Sequence, residues 1–350
     1  MAANAPLLTL TDAGLYCPAG DFHIDPWRPV RRAVITHAHG DHARIGSEAY
    51  LAAAPGLPLL AARLLPDAQI ETVRYGERRR IGDVDVSLHP AGHVLGSAQV
   101  RIALDDRVWL VSGDYKLAPD PTCAPFEPLR AHVFVTESTF GLPIYRWDPP
   151  DRVMADIAKW WQENRDDGTT SILFAYTLGK AQRVLAGLAR HCAGDLPGPV
   201  FCHGSVQRMN ELYRAAGVAL PTTFPVAHAA ADTRWSQTLV IAPPSARGST
   251  WMRRFVPYST AFASGWMAIR GARRRASYDR GFALSDHADW DGLNLAIDHV
   301  NAEEIWVTHG YRDELVRWLT QGGRHATAVQ TLFEGEAGSD ATVETPMSGS

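Results

Sequence analysis

Cysteine is scarce in this chain, and the four residues present show no pairing pattern. Cys17, Cys123, Cys192 and Cys202 are scattered, with no C-x-x-C spacing. That excludes a disulfide-stapled scaffold and a thiolate zinc cluster, and leads us to expect reduced thiols in a cytoplasmic protein. Long apolar runs are missing as well. No stretch approaches the ~20 residues that span a bilayer, and Met1 to Leu10 has neither the basic start nor the apolar core of a leader. An excess of positive charge is also lacking. With a formal net charge of −4 the chain is not a globally basic nucleic-acid binder, so affinity for phosphate would have to come from local clusters. Gly179-Lys180 is only a fragment of a P-loop signature, which leaves ATP hydrolysis unsupported. No internal repeat is visible.

Against these absences stands one dense cluster, His37-Ala38-His39-Gly40-Asp41-His42, directly after the apolar run Ala33-Val34-Ile35-Thr36. Three imidazoles and a carboxylate in six residues suit two metal ions better than one. On an extended segment His37 and His39 point to the same side. Asp41 and His42 follow at a turn into an expected helix-like stretch from His42 to Ala54, where they can face a second ion. Imidazole suits zinc, and an added carboxylate fits a site that also holds water.

Three later segments offer further ligands. His93 lies between glycines in Ala91-Gly92-His93-Val94-Leu95-Gly96. Asp114 follows the run Val108 to Val111 in Ser112-Gly113-Asp114, and His309 closes Ile305 to Thr308 ahead of Gly310. Singly, each is more often an ordinary turn residue. Together they repeat one design, a short buried strand ending in a metal-type side chain beside glycine.

This series, His37, His39, Asp41, His42, His93, Asp114 and His309 in that order, resembles the metallo-β-lactamase superfamily of hydrolases. The resemblance implies an α/β fold, an αββα sandwich with two metals at one edge. It also implies that His37, His39 and His93 hold one ion, that Asp41, His42 and His309 hold the other, and that Asp114 bridges them.

At 350 residues and 46% hydrophobic content the chain is large enough for two compact units. The interval between Asp114 and His309 is too long for one loop and carries its own strand–helix alternation. Ser171 to Tyr176 reads as a strand running into a helix from Gly179 to His191. Pro199 to His203 leads into a helix from Val206 to Ala216, and Thr238 to Ala242 is another buried strand. This pattern predicts an inserted α/β domain with a largely parallel sheet. The expected organisation is a first catalytic segment over 1–145, an insert over 146–282, a return segment over 283–335 and a flexible tail over 336–350.

Glu137-Ser138-Thr139-Phe140-Gly141, Ser285-Asp286-His287-Ala288-Asp289 and Thr308-His309-Gly310 resemble the A, B and C motifs of the β-CASP group, metallo-β-lactamase nucleases that cut DNA or RNA. That resemblance implies His287 as general acid or transition-state hydrogen-bond donor, Glu137 as its orienting partner, and Asp41 as a further catalytic residue. A turn-capping role for Glu137 and a helix-opening role for Ser285-Asp286 stay open. Within the group, Gly20-Asp21-Phe22-His23-Ile24-Asp25-Pro26-Trp27 and Phe174-Ala175-Tyr176-Thr177-Leu178-Gly179-Lys180 look like the bacterial ligase-associated DNA exonucleases. Their implied context is DNA repair beside a DNA ligase and a helicase.

Two cations about 3.5–4 Å apart can clamp the attacking and leaving oxygens of a phosphodiester displacement, and zinc-bound water has a pKa near ~7. The implied reaction is hydrolysis by a two-metal-activated hydroxide, with zinc or manganese as the ion. Arginine runs are usually solvated surface. Arg253-Arg254 and Arg273-Arg274-Arg275 fall in the insert, however, and Arg253, Arg254, Arg273 and Arg274 are, with Lys180, the expected substrate contacts. Trp251, Trp266 and Tyr258 lie among these arginines and are more often core than base-stacking platforms. The expected function is a DNA exonuclease. An RNA-processing nuclease, a small-ester or lactam hydrolase and a catalytically silent nucleic-acid scaffold stand as alternatives.

Overall fold

The computed structural model describes residues 6–269 and 278–333; the tail expected over 336–350 lies outside them. The chain forms two compact units, one from the segments up to Ile144 and from His287 onward, the other from Tyr145 to Asp286. No helix among the described residues is long and apolar enough to cross a membrane.

The first unit begins with β1 (Thr9–Thr11), β2 (Gly14–Cys17), β3 (Phe22–Ile24), β4 (Arg32–Val34) and β5 (Ala49–Ala53). A short helix α1 (Leu57–Arg63) then leads to β6 (Gln69–Val73). These six strands form one sheet in chain order, antiparallel up to β3 and parallel from β3 onward. A second sheet starts with the meander β7 (Arg78–Ile81), β8 (Val84–Pro90), β9 (Ala98–Leu104) and β10 (Arg107–Val111), after which β11 (Val133–Ser138) adds in parallel.

The alternation in β8 shows why the sheets stack. Val84, Val86 and Leu88 turn one way into a shared core with Val100 and Ile102 of β9 and Leu15, Phe22 and Val34 of the first sheet, while the intervening Asp85 and Ser87 take the other face. β11 is buried on both sides. Val133 and Val135 enter the inter-sheet core, and Phe134 enters a separate cluster on the far face.

The second unit is a doubly wound layer. Helix α2 (Pro150–Asp166) starts on a proline at its first turn, where the missing N–H costs nothing. Its buried positions Val153, Met154, Ile157, Trp160 and Trp161 make one apolar stripe. It is followed by β12 (Thr170–Phe174), α3 (Lys180–His191), β13 (Val200–Cys202), α4 (Gly204–Ala215), β14 (Thr223–Pro225), β15 (Leu239–Ala242), β16 (Tyr258–Ala263) and β17 (Arg280–Phe282). The strand order is β14-β13-β15-β12-β16-β17, with every pairing parallel. In β15, Leu239 and Ile241 join one core cluster and Val240 and Ala242 the other. A continuous apolar run therefore reads as a strand buried on both faces.

The chain then returns to the first unit through α5 (Trp290–Val300), β18 (Glu304–Gly310), α6 (Arg312–Gln321) and β19 (Ala326–Ala328). β18 pairs in parallel with β11, and β19 with β18. Leu293, Ile297, Leu315 and Leu319 of the two helices cover Leu110, Phe134, Ile305 and Val307.

One expectation is corrected. The stretch from His42 to Ala54 is not helical: after an irregular segment, Ala49–Ala53 is strand β5. Its alanines favour helix intrinsically, but Ala49 to Ala53 pair with β6 and Ala49 to Leu51 with β4. Leu51 and Ala53 also enter the inter-sheet core, and tertiary pairing outweighs a few tenths of a kcal/mol per residue of propensity.

Candidate metal centre

The ends of β4, β8, β10, β11 and β18 bring the metal-type side chains to one edge of the sandwich. Beyond β4 the chain turns sharply, with Ala43 N–H donating to the His39 carbonyl at 2.8 Å. The loop after β10 crosses this segment at Gly113. There φ is +56°, and a Cβ would fall 2.6 Å from the Thr36 Cβ, so only glycine lets Asp114 reach the histidines. His309 closes β18, with the Ser138 hydroxyl 2.7 Å from its carbonyl oxygen.

Two groups of candidate ligands result. In the first, His37 Nε2 and His93 Nε2 each lie 3.1 Å from His39 Nδ1. Asp114 Oδ2 is 3.5 Å from His37 Nε2 and 3.7 Å from His93 Nε2. In the second, His42 Nε2 is 3.5 Å from Asp114 Oδ2, and His309 Nε2 is 3.0 Å from Asp114 Oδ1. Asp41 Oδ2 stands 3.7 Å from His42 Nε2. Asp114 belongs to both groups, and all seven side chains are buried.

The residues fit divalent cations. Tetrahedral zinc with Zn–N near 2.0–2.1 Å holds its nitrogens about 3.3 Å apart, close to the separations in the first group. His42 Nε2 is buried without a hydrogen-bond partner, a cost normally avoided unless the atom has another use. The electrostatics point the same way. Burial, with the neighbouring imidazole of His42, pushes His37 well below its usual pKa, so it is a neutral donor. Burial opposes charge on His42 too, but the carboxylates of Asp114, Asp41 and Asp25 outweigh it and push the group up to about 10. Burial would raise the Asp114 carboxyl, yet His42, His287 and His309 hold it well below the usual carboxylate range. The pocket calls for positive charge, which a metal ion would supply.

Beside this cluster, Glu137 at the end of β11 accepts two hydrogen bonds, from the Tyr115 N–H at 2.8 Å and at His287 Nδ1 at 2.9 Å. Tyr115 ties the same region from its other side, its carbonyl accepting from Ala288 N–H at 2.6 Å. The imidazole of His287 is thus oriented through Nδ1, which lies 4.0 Å from Asp114 Oδ2.

Asp25 and Thr36 had no assigned role in the sequence. Asp25 is buried, with φ +43°. Its carboxylate accepts from Thr36 N–H at 2.8 Å and from the Thr36 hydroxyl at 2.5 Å, and Oδ2 is 2.7 Å from His42 Nδ1. Its signals were its place, an acid after the strand Phe22–Ile24 and ahead of Pro26, and its membership of the Gly20-to-Trp27 motif. Lys180, expected as a substrate contact, lies inside the second unit. It is fully buried, with Nζ 3.1 Å from Asp286 Oδ1 and 4.9 Å from the Tyr176 ring centroid. Arg253 and Arg254 are exposed in the short 3-10 segment Thr250–Phe255. Arg273 and Arg274 lie outside the described residues. Trp251 and Trp266 pack against the core of the second unit.

No family model matches the chain. Over 320 residues, 90% of its length, it is 32% identical to a protein of Opitutus terrae named as a probable DNA ligase, of which it spans 30%. Over 145 residues, 40% of its length, it is 30% identical to RNase aCSPSF2 of Saccharolobus solfataricus, spanning 28% of that protein. The chain therefore covers less than a third of either relative. The crystal structure of an Enterococcus faecalis V583 protein of unknown function superposes with a TM-score of 0.56 over 87% of this chain and 79% of its own, at 12% identity, a likeness of fold alone. Strand-end ligands, a two-sheet sandwich interrupted by a parallel α/β unit and these relatives lead to one assignment: the chain belongs to the metallo-β-lactamase/β-CASP superfamily.

Proposed function

We propose that this protein is a metal-dependent nuclease, and more narrowly a DNA exonuclease that trims ends alongside a DNA ligase. The observation that carries the reading is the single carboxylate of Asp114, within 3.0–3.7 Å of imidazole nitrogens from both ligand groups. His37, His39 and His93 would hold one ion, Asp41, His42 and His309 the other, and Asp114 both. Zinc or manganese there would neutralise phosphate charge and supply a hydroxide nucleophile at neutral pH. With Nδ1 of His287 engaged by Glu137, proton donation to the departing oxygen falls to Nε2. Glu137 is the positioning residue that keeps that ring aimed. Arg253 and Arg254, both exposed, would contact the phosphate backbone.

DNA is preferred over RNA because the relative matched over 90% of this chain is named as a probable DNA ligase. An RNA substrate is the second reading, favoured by the relative named as an RNase. The test is a divalent-metal screen on matched DNA and RNA strands labelled at either end. Progressive loss of DNA from one end with RNA spared supports the exonuclease. Cleavage of RNA alone moves the protein to the second reading, and cleavage of neither with two equivalents of metal bound rejects both.

A further inference from the structure

The two ligand groups are walled differently. In the first, the three imidazoles enclose one another edge to face, with ring centroids of His37, His39 and His93 4.7–4.9 Å apart. In the second, the rings of His42 and His309 stand 6.0 Å apart, and a residue from far along the chain fills the gap. Phe333 stacks flat on His42 at 4.4 Å with an interplanar angle of 8°, and meets His309 edge-on at 5.4 Å. Trp27 also meets Phe333 edge-on at 5.9 Å. The segment that carries it is anchored just upstream, where Val329 N–H donates to the Val307 carbonyl at 2.8 Å and its own carbonyl accepts from Arg312 Nη1 at 3.1 Å.

We infer that Phe333 is a positioning residue of the second metal position, the apolar wall that fixes the planes of His42 and His309 and slows exchange of the ion held there. This rests on the metal reading above. A flat ring stacked on an imidazole leaves the ring-edge nitrogen exposed toward the ligand cluster while closing the ring face to water. Asp25 holds the same imidazole in its plane through Nδ1, so His42 is constrained in plane by one residue and across its face by the other. Nothing equivalent is needed by the first group, whose imidazoles shield each other. Exchange at the second position therefore requires the segment around Phe333 to move, and exchange at the first does not.

The test loads the full-length protein with zinc, adds a chromophoric chelator in excess and follows release of the two equivalents. Phe333→Ala is expected to speed one of two release phases by about 10-fold, the scale on which a ligand's supporting partners act, and to leave the other phase unchanged. Phe333→Tyr, which keeps the ring, is expected to restore the slow phase, and the melting temperature of the metal-free protein should not move. Two unchanged phases, or two phases accelerated equally, would overturn the inference. If the unaltered protein binds fewer than two ions, the metal reading itself fails, a result separate from either.

Discussion

Asp25 and His42 are joined at 2.7 Å, carboxylate oxygen to Nδ1, with both side chains buried. A carboxylate only accepts, so the proton of this bond lies on His42 Nδ1, which leaves Nε2, the atom facing Asp114, as the nitrogen a metal ion would take once it displaces the proton there. The same carboxylate takes the Thr36 hydroxyl proton, which obliges Thr36 Oγ1 to accept from His37 Nδ1 at 3.0 Å. One acid thereby sets the tautomer of an imidazole in each ligand group. Asp25→Asn keeps the shape but turns an N–H toward one of these donors. It is expected to weaken both equivalents of zinc about 10–100-fold. Thr36→Val, which touches only the relay to His37, should weaken one. Chelator competition reads both, and equal loss in the two variants would rule out the relay.

The pair of Glu137 and His287 predicts a separation of catalysis from metal binding. His287→Asn can still donate to Glu137 but cannot donate a transferable proton. Turnover should fall about 10²–10⁴-fold, the usual contribution of a general acid, with KM and bound metal unchanged. Glu137→Gln should lower turnover without removing the acid, because the ring loses the carboxylate acceptor that aims it. Loss of metal from either variant would place these residues among the ligands instead.

How much of this was readable beforehand follows from where each constraint is local. His37, His39, Asp41 and His42 lie in six residues, Asp114 follows the buried strand Arg107–Val111 and His309 stands near the end of Glu304–Gly310, so type and spacing were enough to nominate them. Asp25 and Thr36 act through hydrogen-bond direction, which residue type does not encode. Phe333 matters only because the end of the described chain returns to His42. The helix expected from His42 to Ala54 failed because its alanines carry no periodic stripe, and pairing with β4 and β6 decided the matter. The parallel insert was legible because its strands are continuous apolar runs bounded by helix-period segments.

Gly310 offers a stability test of how His309 is presented. Its φ is +91°, and a Cβ there would come 2.2 Å from the Ser138 carbonyl oxygen, against backbone that cannot give way. Gly76 has φ +75° with nothing within 4 Å. Gly76→Ala should cost only the left-handed conformation, about 1–2 kcal/mol. Gly310→Ala should cost that plus the clash, about 1–3 kcal/mol more, and it should also displace His309. Denaturant melts of the two variants check the difference, and equal losses would mean the β18 end is free to shift.

Lys180 and Asp286 decide between a substrate contact and a structural one. Lys180 Nζ lies 3.1 Å from Asp286 Oδ1, and both side chains are buried. A lysine that binds phosphate can be shortened or neutralised with a rise in KM and little change in stability. A buried ion pair behaves otherwise, because removing the cation strands a carboxylate in a low-dielectric interior at about 3–5 kcal/mol. Lys180→Met should therefore destabilise the protein by roughly that amount. Lys180→Met with Asp286→Leu should recover much of the loss, since no charge is left unpaired. A melting temperature unchanged by Lys180→Met, together with a raised KM for oligonucleotide, would return Lys180 to the substrate surface.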